Sequence, residues 1–295
     1  MKRHITVGLV QHACSTNLAQ NLSATIHGIE EAASNGAQLV VLPELHCSHY
    51  FCQTVEASNF DLAESIPGPT TAVFAKLAKQ LKVVIIASLF ERRTAGIYHN
   101  TAAVIDTDGD IAGIYRKMHI PDDPGYYEKY YFTPGDLGFN PIPTSIGKIG
   151  VLICWDQWYP EAARIMALGG AELLVIPTAI GWDQNDTDTE KQRQLDAWIT
   201  IQRAHAIANG LPIAVCNRTG FELDPSGLTS GINFWGTSFI AGPQGEILTQ
   251  CSSDKTITQA ATTDLEQNEQ VRRHWPYFRD RRIDAYQDIL LRNRD

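Results

Sequence analysis

Short apolar runs alternate along this chain with segments whose apolar residues recur at every third or fourth position. ITVGLV, AQLVVL, KVVIIASLF, TAAVI, IGVLIC, AELLVI, PIAVC and TSFIA read as strands, and their nearly continuous apolar character predicts strands covered on both faces. Leu18, Leu22, Ile26 and Ile29 form one helical stripe, stopped by Gly36, and Val73, Phe74, Leu77 and Leu81 form a second. One-sided helices beside such strands predict an α/β architecture in which helices cover sheets.

Two pairs of segments echo each other. GAQLVVLPEL at 36–45 matches GAELLVIPTA at 170–179, and NTAAVIDTDGDI from Asn100 matches GTSFIAGPQGEI from Gly236. The second pair reads as a strand, a glycine-containing turn and another strand, so the chain is expected to contain two similar halves. Residues 118–141, MHIPDDPGYYEKYYFTPGDLGFNP, form a long loop rich in Pro, Gly and Tyr, and loops of that length inside a domain usually carry function. The polar stretch GWDQNDTDTE precedes a helix around Ala197 to Asn209, with Thr187 or Thr189 as its N-cap. From about residue 266, EQNEQVRRHWPYFRDRRIDAYQDIL lacks a clean period. It is expected to be either an arm packed on another subunit or a surface helix.

Size and charge narrow the classes. A chain of 295 residues, 44% hydrophobic, can bury a sizeable core as one large domain or two smaller ones. Twenty-four Lys and Arg against 33 Asp and Glu leave a formal charge of −9. That balance gives no basis for a nucleic-acid or anionic-membrane partner and favours cationic ligands. No segment reaches the apolar length of a membrane span, and MKRHITVGLVQHAC reads as a first strand, not as a signal sequence. The six cysteines are dispersed, mostly within strand-like runs, so free thiols and a cytoplasmic location are expected.

PELHCSHYFC, residues 43–52, gathers two cysteines, two histidines and a glutamate, which raises the question of a metal. Three other features point to a different chemistry. Cys154 ends the run IGVLIC and precedes WDQWYPEAAR, where a strand gives way to the start of a helix whose N–H groups would favour a thiolate. Glu44 ends the run LVVLPE, in the matching position of the other half, and Lys117 closes the strand GIYRK. Taken singly, each has an ordinary structural explanation: a small buried hydrophobe, a capping acid, a surface cation.

As a set, PEL, then YRKMH, then GVLICWDQWYPE stand in the order and separation of the nitrilase (carbon-nitrogen hydrolase) superfamily, which this chain resembles from VGLVQ to GTSFIAGPQGEIL. The resemblance implies a four-layer αββα sandwich, a single domain spanning 1–295 with a C-terminal arm from about 266, and assembly into homo-oligomers. It also implies a triad of Glu44, Lys117 and Cys154 that hydrolyses non-peptide C–N bonds, with Glu128 in YYEKYYFTPGD as a second glutamate that orients Lys117 or shuttles protons. The physics agrees: a thiol needs a positioned base, and an oxyanion needs a cation. No cofactor or metal is then required, and His46, Cys47, His49 and Cys52 are expected to surround Glu44. Their spacings of three and five have no second Cys/His cluster to complete a zinc site.

Family members cut nitriles, amides and N-carbamoyl compounds. Those that act on N-carbamoyl D-amino acids carry two arginines where this chain has Gln157 and Trp158, so a substrate carboxylate would lose its bidentate partners. MHIPDDPGYYEKYYF and CWDQWYPEAAR are instead similar to the branch that hydrolyses N-carbamoylputrescine, a small cationic ureide. Asp122, Asp123, Tyr126, Tyr127, Asp183 and Trp155 are candidates to bind its ammonium. An aliphatic amidase or a β-ureidopropionase remains the alternative among enzymes. A metal-binding or scaffolding protein of the same fold is the alternative outside them.

Overall fold

In the computed structural model, which describes residues 3–294, each of the apolar runs contains a strand, and most of these strands join two six-stranded sheets. The first sheet has the order β15 (Ile257–Asp264), β1 (His4–Gln11), β2 (Leu39–Val41), β3 (Val84–Thr94), β4 (Ile97–Ile105), β5 (Ile111–Arg116). The second runs β6 (Ile142–Thr144), β7 (Gly147–Val151), β8 (Leu173–Pro177), β10 (Ile213–Cys216), β13 (Phe239–Ala241), β14 (Ile247–Gln250). In both, the second, third and fourth strands are parallel and the outer pairings antiparallel. The internal echo therefore has a structural counterpart. Its first pair supplies the third strand of each sheet, β2 and β8, and its second pair supplies the last two, β4 with β5 and β13 with β14.

Strand periodicity sets the layers, because successive side chains point to opposite faces. Leu39, Val41, Val84 and Ile86 meet Val151, Leu173, Val175 and Ala214 between the sheets. Val40, Leu42, Ile85 and Ala87 face outward onto Ile29, Ala32, Phe74 and Leu77 of α1 (Leu18–Ser34) and α2 (Pro69–Leu81). The loop after β5 holds one helical turn, α3 (Glu128–Tyr131). Outside the second sheet lie α4 (Pro160–Leu168) and α5 (Asp188–Asn209), whose Met166, Trp198 and Ala206 join the central core. The order is helix, sheet, sheet, helix, as the resemblance implies.

Two helices differ in detail from the apolar pattern. Of the predicted stripe, Ile29 is buried and Leu22 and Ile26 are half-buried against the outer core, whereas Leu18 is exposed and α1 also buries Asn21, Thr25, Gly28 and Ala32. The helix comes so close to the sheet at Gly28 that a Cβ there would sit 2.2 Å from Val10 Cγ1. Small or hydrogen-bonded residues therefore fill the face that larger apolar ones would occupy. Helix α5 begins well before Ala197, because Thr187 caps it by accepting the N–H of Glu190 at 3.2 Å; its first turns are polar and carry no apolar signal.

A third sheet, β11 (Thr219–Glu222), β12 (Ile232–Trp235), β9 (Gly181–Asp183) in that order, has strands of three or four residues that the apolar pattern does not reveal. At the C-terminal end, α6 (Glu266–His274) docks on the second half: Asn268 Nδ2 donates to Glu172 O and Arg272 Nε to Asn209 O. Past Trp275 most residues are exposed. Among the described residues, no helix is long and apolar enough to cross a membrane.

Candidate active site

Three strand ends converge where the two sheets meet. Glu44 lies three residues beyond β2, its N–H donating to Thr178 O at 3.2 Å, and Thr178 is the residue matching it in the other half. Lys117 directly succeeds β5, tied by its N–H to Asn100 O at 2.9 Å. Cys154 comes three residues after β7 with φ 43°, a left-handed turn that is strained for a side chain with a Cβ. Glu44 and Cys154 thus do not occupy matching positions of the two halves, contrary to the sequence expectation. The segment matching β2 is β8, whereas Cys154 lies beyond the end of its neighbour β7.

Charge is concentrated on Lys117, which is fully buried. Its Nζ donates to Glu44 Oε1 at 2.7 Å and to Glu128 Oε2 at 2.6 Å. Burial pulls the ammonium down, but the carboxylates of Glu128 and Glu44 outweigh it, so its pKa stands well above the ordinary value. Glu44 Oε1 also accepts from Asn100 Nδ2 at 2.6 Å, while Oε2, equally buried, has no partner among the described residues. Burial raises Glu128 to about 7 against the pull of Lys117, with Glu44 adding to the rise.

The cysteine is not held as a thiolate. Burial, and next the Glu44 carboxylate, push its pKa well above the ordinary value, and its Sγ lies 3.6 Å from Ala179 O. Cys154 begins a single 3₁₀ turn that ends at Trp158, and α4 starts only at Pro160, so the helix N-terminus expected to stabilise the thiolate is not there. Asp156 holds this turn: its carboxylate accepts from Ile153 N at 3.0 Å, Tyr115 Oη at 2.7 Å, and His119 N and Nδ1 at 2.9 and 2.7 Å.

Cys154 opens into a cavity of about 430 Å³ with walls that include Trp155, Trp158, Tyr126, Ile180 and Trp235. Among the described residues, Asp123 is the one charged residue lining it, and no Lys or Arg does. Of the six candidates for ammonium binding, Trp155, Asp123 and Tyr126 line the cavity and three do not. Asp122 is an exposed neighbour of Asp123, turned elsewhere where the loop closes with Tyr126 N donating to Asp123 O at 2.8 Å. Tyr127 precedes α3 and donates its N–H to Cys52 O at 2.8 Å. Asp183 ends β9 in the exposed turn and accepts from Asn185 N at 2.7 Å. Gln157 is also not a ligand contact. Fully buried, it points into the core, where its Oε1 accepts from Trp198 Nε1 at 2.9 Å and Thr178 Oγ1 at 3.2 Å.

The side chains of PELHCSHYFC disperse. His46 is buried with its Nδ1 3.1 Å from Thr25 Oγ1, and His49 Nε2 lies 3.3 Å from Glu222 Oε2. Among the described residues no three His, Cys, Asp or Glu side chains are grouped to hold a metal ion. Sequence reasoning missed Tyr50, whose Oη donates to Glu128 Oε1 at 2.6 Å, as well as Asn100 and Arg218. Each lies among other polar residues, Tyr50 after CSH, Asn100 between His99 and Thr101 and Arg218 between Asn217 and Thr219, so nothing local singles it out without its spatial partners.

Similarity to known proteins agrees with this geometry. Residues 6–273 match the family profile described as carbon-nitrogen hydrolase. An N-carbamoylputrescine amidase of Arabidopsis thaliana is 44% identical over 98% of this chain and 96% of its own length. A citrullinase of Francisella tularensis is 41% identical over 97% and 98%. The crystal structure of a carbon-nitrogen hydrolase from Helicobacter pylori G27 superposes with a TM-score of 0.96 at 54% identity, covering 99% of this chain and 100% of that one. A profile match over most of the chain, near full-length relatives above 40% identity and a shared fold lead to one conclusion: the chain belongs to the carbon-nitrogen hydrolase family and is an enzyme of that family.

Proposed function

We propose that the enzyme hydrolyses the ureido C–N bond of N-carbamoylputrescine, with Cys154 as nucleophile, Glu44 as general base, Lys117 as the cation for the oxyanion and Glu128 as the group that orients Lys117. The observation that carries the substrate is the cavity wall: mostly apolar and aromatic, with Gln194 as a neutral polar residue and, among the described residues, Asp123 as its one charged residue and no cation. Such a wall accommodates a four-carbon chain ending in an ammonium. Among the described residues it presents no Lys or Arg to the additional carboxylate of citrulline, which is otherwise the same ureide. The N-carbamoylputrescine amidase relatives support the same reading.

The thiol is protonated at rest, so attack on the ureido carbon is coupled to proton transfer onto the free Oε2 of Glu44. Two of the three Lys117 donors are engaged by carboxylates and the third is left for the developing oxyanion. One nitrogen departs with the proton from Glu44, leaving a carbamoyl thioester. Glu44 then takes a proton from water, which displaces the thiol. The carbamic acid released breaks down to carbon dioxide and the second amine, so one ureide and one water give putrescine, ammonia and carbon dioxide.

We also infer that the chain works as a single domain, with an arm from about 266, in a cytoplasmic homo-oligomer. Exposed Ile165, Leu168 and Ile207 on α4 and α5, and Ile283, Ile289 and Leu290 on the arm, supply apolar surface for a second copy. The substrate is tested by ammonia release from N-carbamoylputrescine, L-citrulline, N-carbamoyl-β-alanine and butylurea. The first should lead in kcat/KM; a lead for either carboxylate-bearing compound would overturn the reading.

A further inference from the structure

Behind the two carboxylates that flank Lys117 lies a second buried ion pair which the reaction scheme does not use. Arg218 is fully buried and Glu222 nearly so, with Arg218 Nη1 donating to Glu222 Oε1 at 2.7 Å. A buried guanidinium needs acceptors for its remaining donors, and here they are backbone carbonyls of the catalytic segment. Nε and Nη2 donate to Glu44 O at 3.2 and 3.0 Å, and Nη2 also to Leu45 O at 2.6 Å. Leu45 has φ 49°, a left-handed conformation costly for leucine that persists only where surroundings impose it. The other oxygen of Glu222 accepts the N–H of Tyr50 at 2.6 Å. The Tyr50 ring lies under the guanidinium, 5.6 Å from it, and its hydroxyl donates to Glu128 Oε1 at 2.6 Å.

A continuous chain of contacts thus runs from the backbone of Glu44 through Arg218, Glu222 and Tyr50 to the side chain of Glu128. We propose that Arg218, Glu222 and Tyr50 are positioning residues for hydrolysis, an internal bridge that fixes the two carboxylates relative to each other and to the ammonium between them. The bridge rests on the roles proposed for Glu44 and Glu128. Without it, the contact shared by the two carboxylates would be Lys117, since Asn100 holds Glu44 but not Glu128, and a lysine is a flexible point charge that fixes distance but not orientation. Tyr50 also selects the state of Glu128, since its hydroxyl can only donate to that oxygen when it is an acceptor, which favours the ionised carboxylate. Glu128 is otherwise faced by Lys117 from the end of β5, by Glu44 and Cys52 from the segment after β2, by Tyr126 on its own loop, and by Cys154.

Tyr50→Phe is the sharpest test. It keeps the ring beneath Arg218 and the N–H to Glu222 and removes only the hydroxyl. Active sites are counted by stoichiometric alkylation of Cys154, and kcat, KM and the pH profile are measured per active site. Expected are a kcat at least ten-fold lower, a KM within two-fold of the parent, and an acidic limb displaced to higher pH. Arg218→Lys keeps the charge beside Glu222 but cannot reach both carbonyls, and its kcat should fall at least ten-fold with KM held. Unchanged kcat and limb per active site in Tyr50→Phe overturn the bridge, even if Arg218→Lys fails to fold. Loss of alkylatable protein with a normal profile in the remainder marks a merely structural role and overturns it too. Near-normal activity in Cys154→Ala would instead overturn the underlying reading, so the two failures are separable.

Discussion

The ammonium of Lys117 lies 2.7 Å from one carboxylate oxygen of Glu44, and the other oxygen of that carboxylate has no hydrogen-bond partner among the described residues. A buried acceptor left open costs free energy, and its retention beside a protonated buried thiol is what a proton-transfer site requires.

That arrangement makes the first prediction. Cys154→Ala should lower turnover by about 10⁴-fold or more, and one equivalent of iodoacetamide should map to Cys154 by mass spectrometry. Cys47→Ala should keep most activity, because Cys47, though buried enough to push its thiol above the usual range, belongs to the His46 neighbourhood. A Cys154 variant with near-parental turnover would refute the mechanism.

Glu128 sets the second. With its carboxyl raised to about 7 by burial, it gains a proton as pH falls through that value and loses its ionic hold on Lys117. Accordingly kcat/KM should rise with pH through about 7. Glu128→Gln should abolish that limb and lower kcat by about a hundredfold, in the range expected when the cation for the oxyanion loses the carboxylate that orients it. A limb near 7 that survives in the Gln variant would assign the titration to another group.

The cavity gives the third. Asp123→Asn should lower kcat/KM for N-carbamoylputrescine about tenfold, equivalent to about 1.4 kcal/mol, and spare butylurea, which has no charge to lose. The effect is modest because Asp123 is exposed and its interaction is screened. Asp122→Asn and Asp183→Asn, whose side chains do not line the cavity, should behave as the parent does. Loss of specificity in those two variants and not in Asp123→Asn would relocate the ammonium site.

Packing supplies the fourth. Gly28→Ala would gain about 1 kcal/mol in helix propensity yet drive a methyl to within 2.2 Å of Val10 Cγ1, and overpacking costs about 1–3 kcal/mol. The thermal midpoint should therefore fall, by about 1.5–2 °C for each kcal/mol of net loss in a chain of 295 residues. A raised midpoint would mean that α1 can move off the sheet without penalty.

Glu44, Lys117 and Cys154 each stand at or just past a strand end, where side chains enter a crevice, but singly none is distinguished in the sequence; the ordered set PEL, YRKMH and GVLICWDQWYPE marks them as candidates, and the structure brings Lys117 to 2.7 Å from Glu44. Glu128 depended on likeness to the family's loop motif. Asp122 could not be told from Asp123 in the same way: which of two adjacent loop acids faces inward depends on the Tyr126 contact and on Gly125 lying close to Ile232, a residue more than a hundred positions away. Gln157 posed a similar difficulty, since its partners Trp198 and Gln202 come from α5. The small third sheet escaped because strands of three or four residues carry too little periodicity to register.

Indole rings give the cavity a spectroscopic consequence. Three of the six tryptophans, Trp155, Trp158 and Trp235, stand on its walls, so a ligand that displaces solvent from them changes the surroundings of half the indoles in the molecule. Intrinsic emission should therefore report occupancy directly. In a Cys154→Ala background, equilibrium binding of intact ureides could be tracked without label and without turnover, so that recognition of the far end is measured apart from the chemistry at the near one.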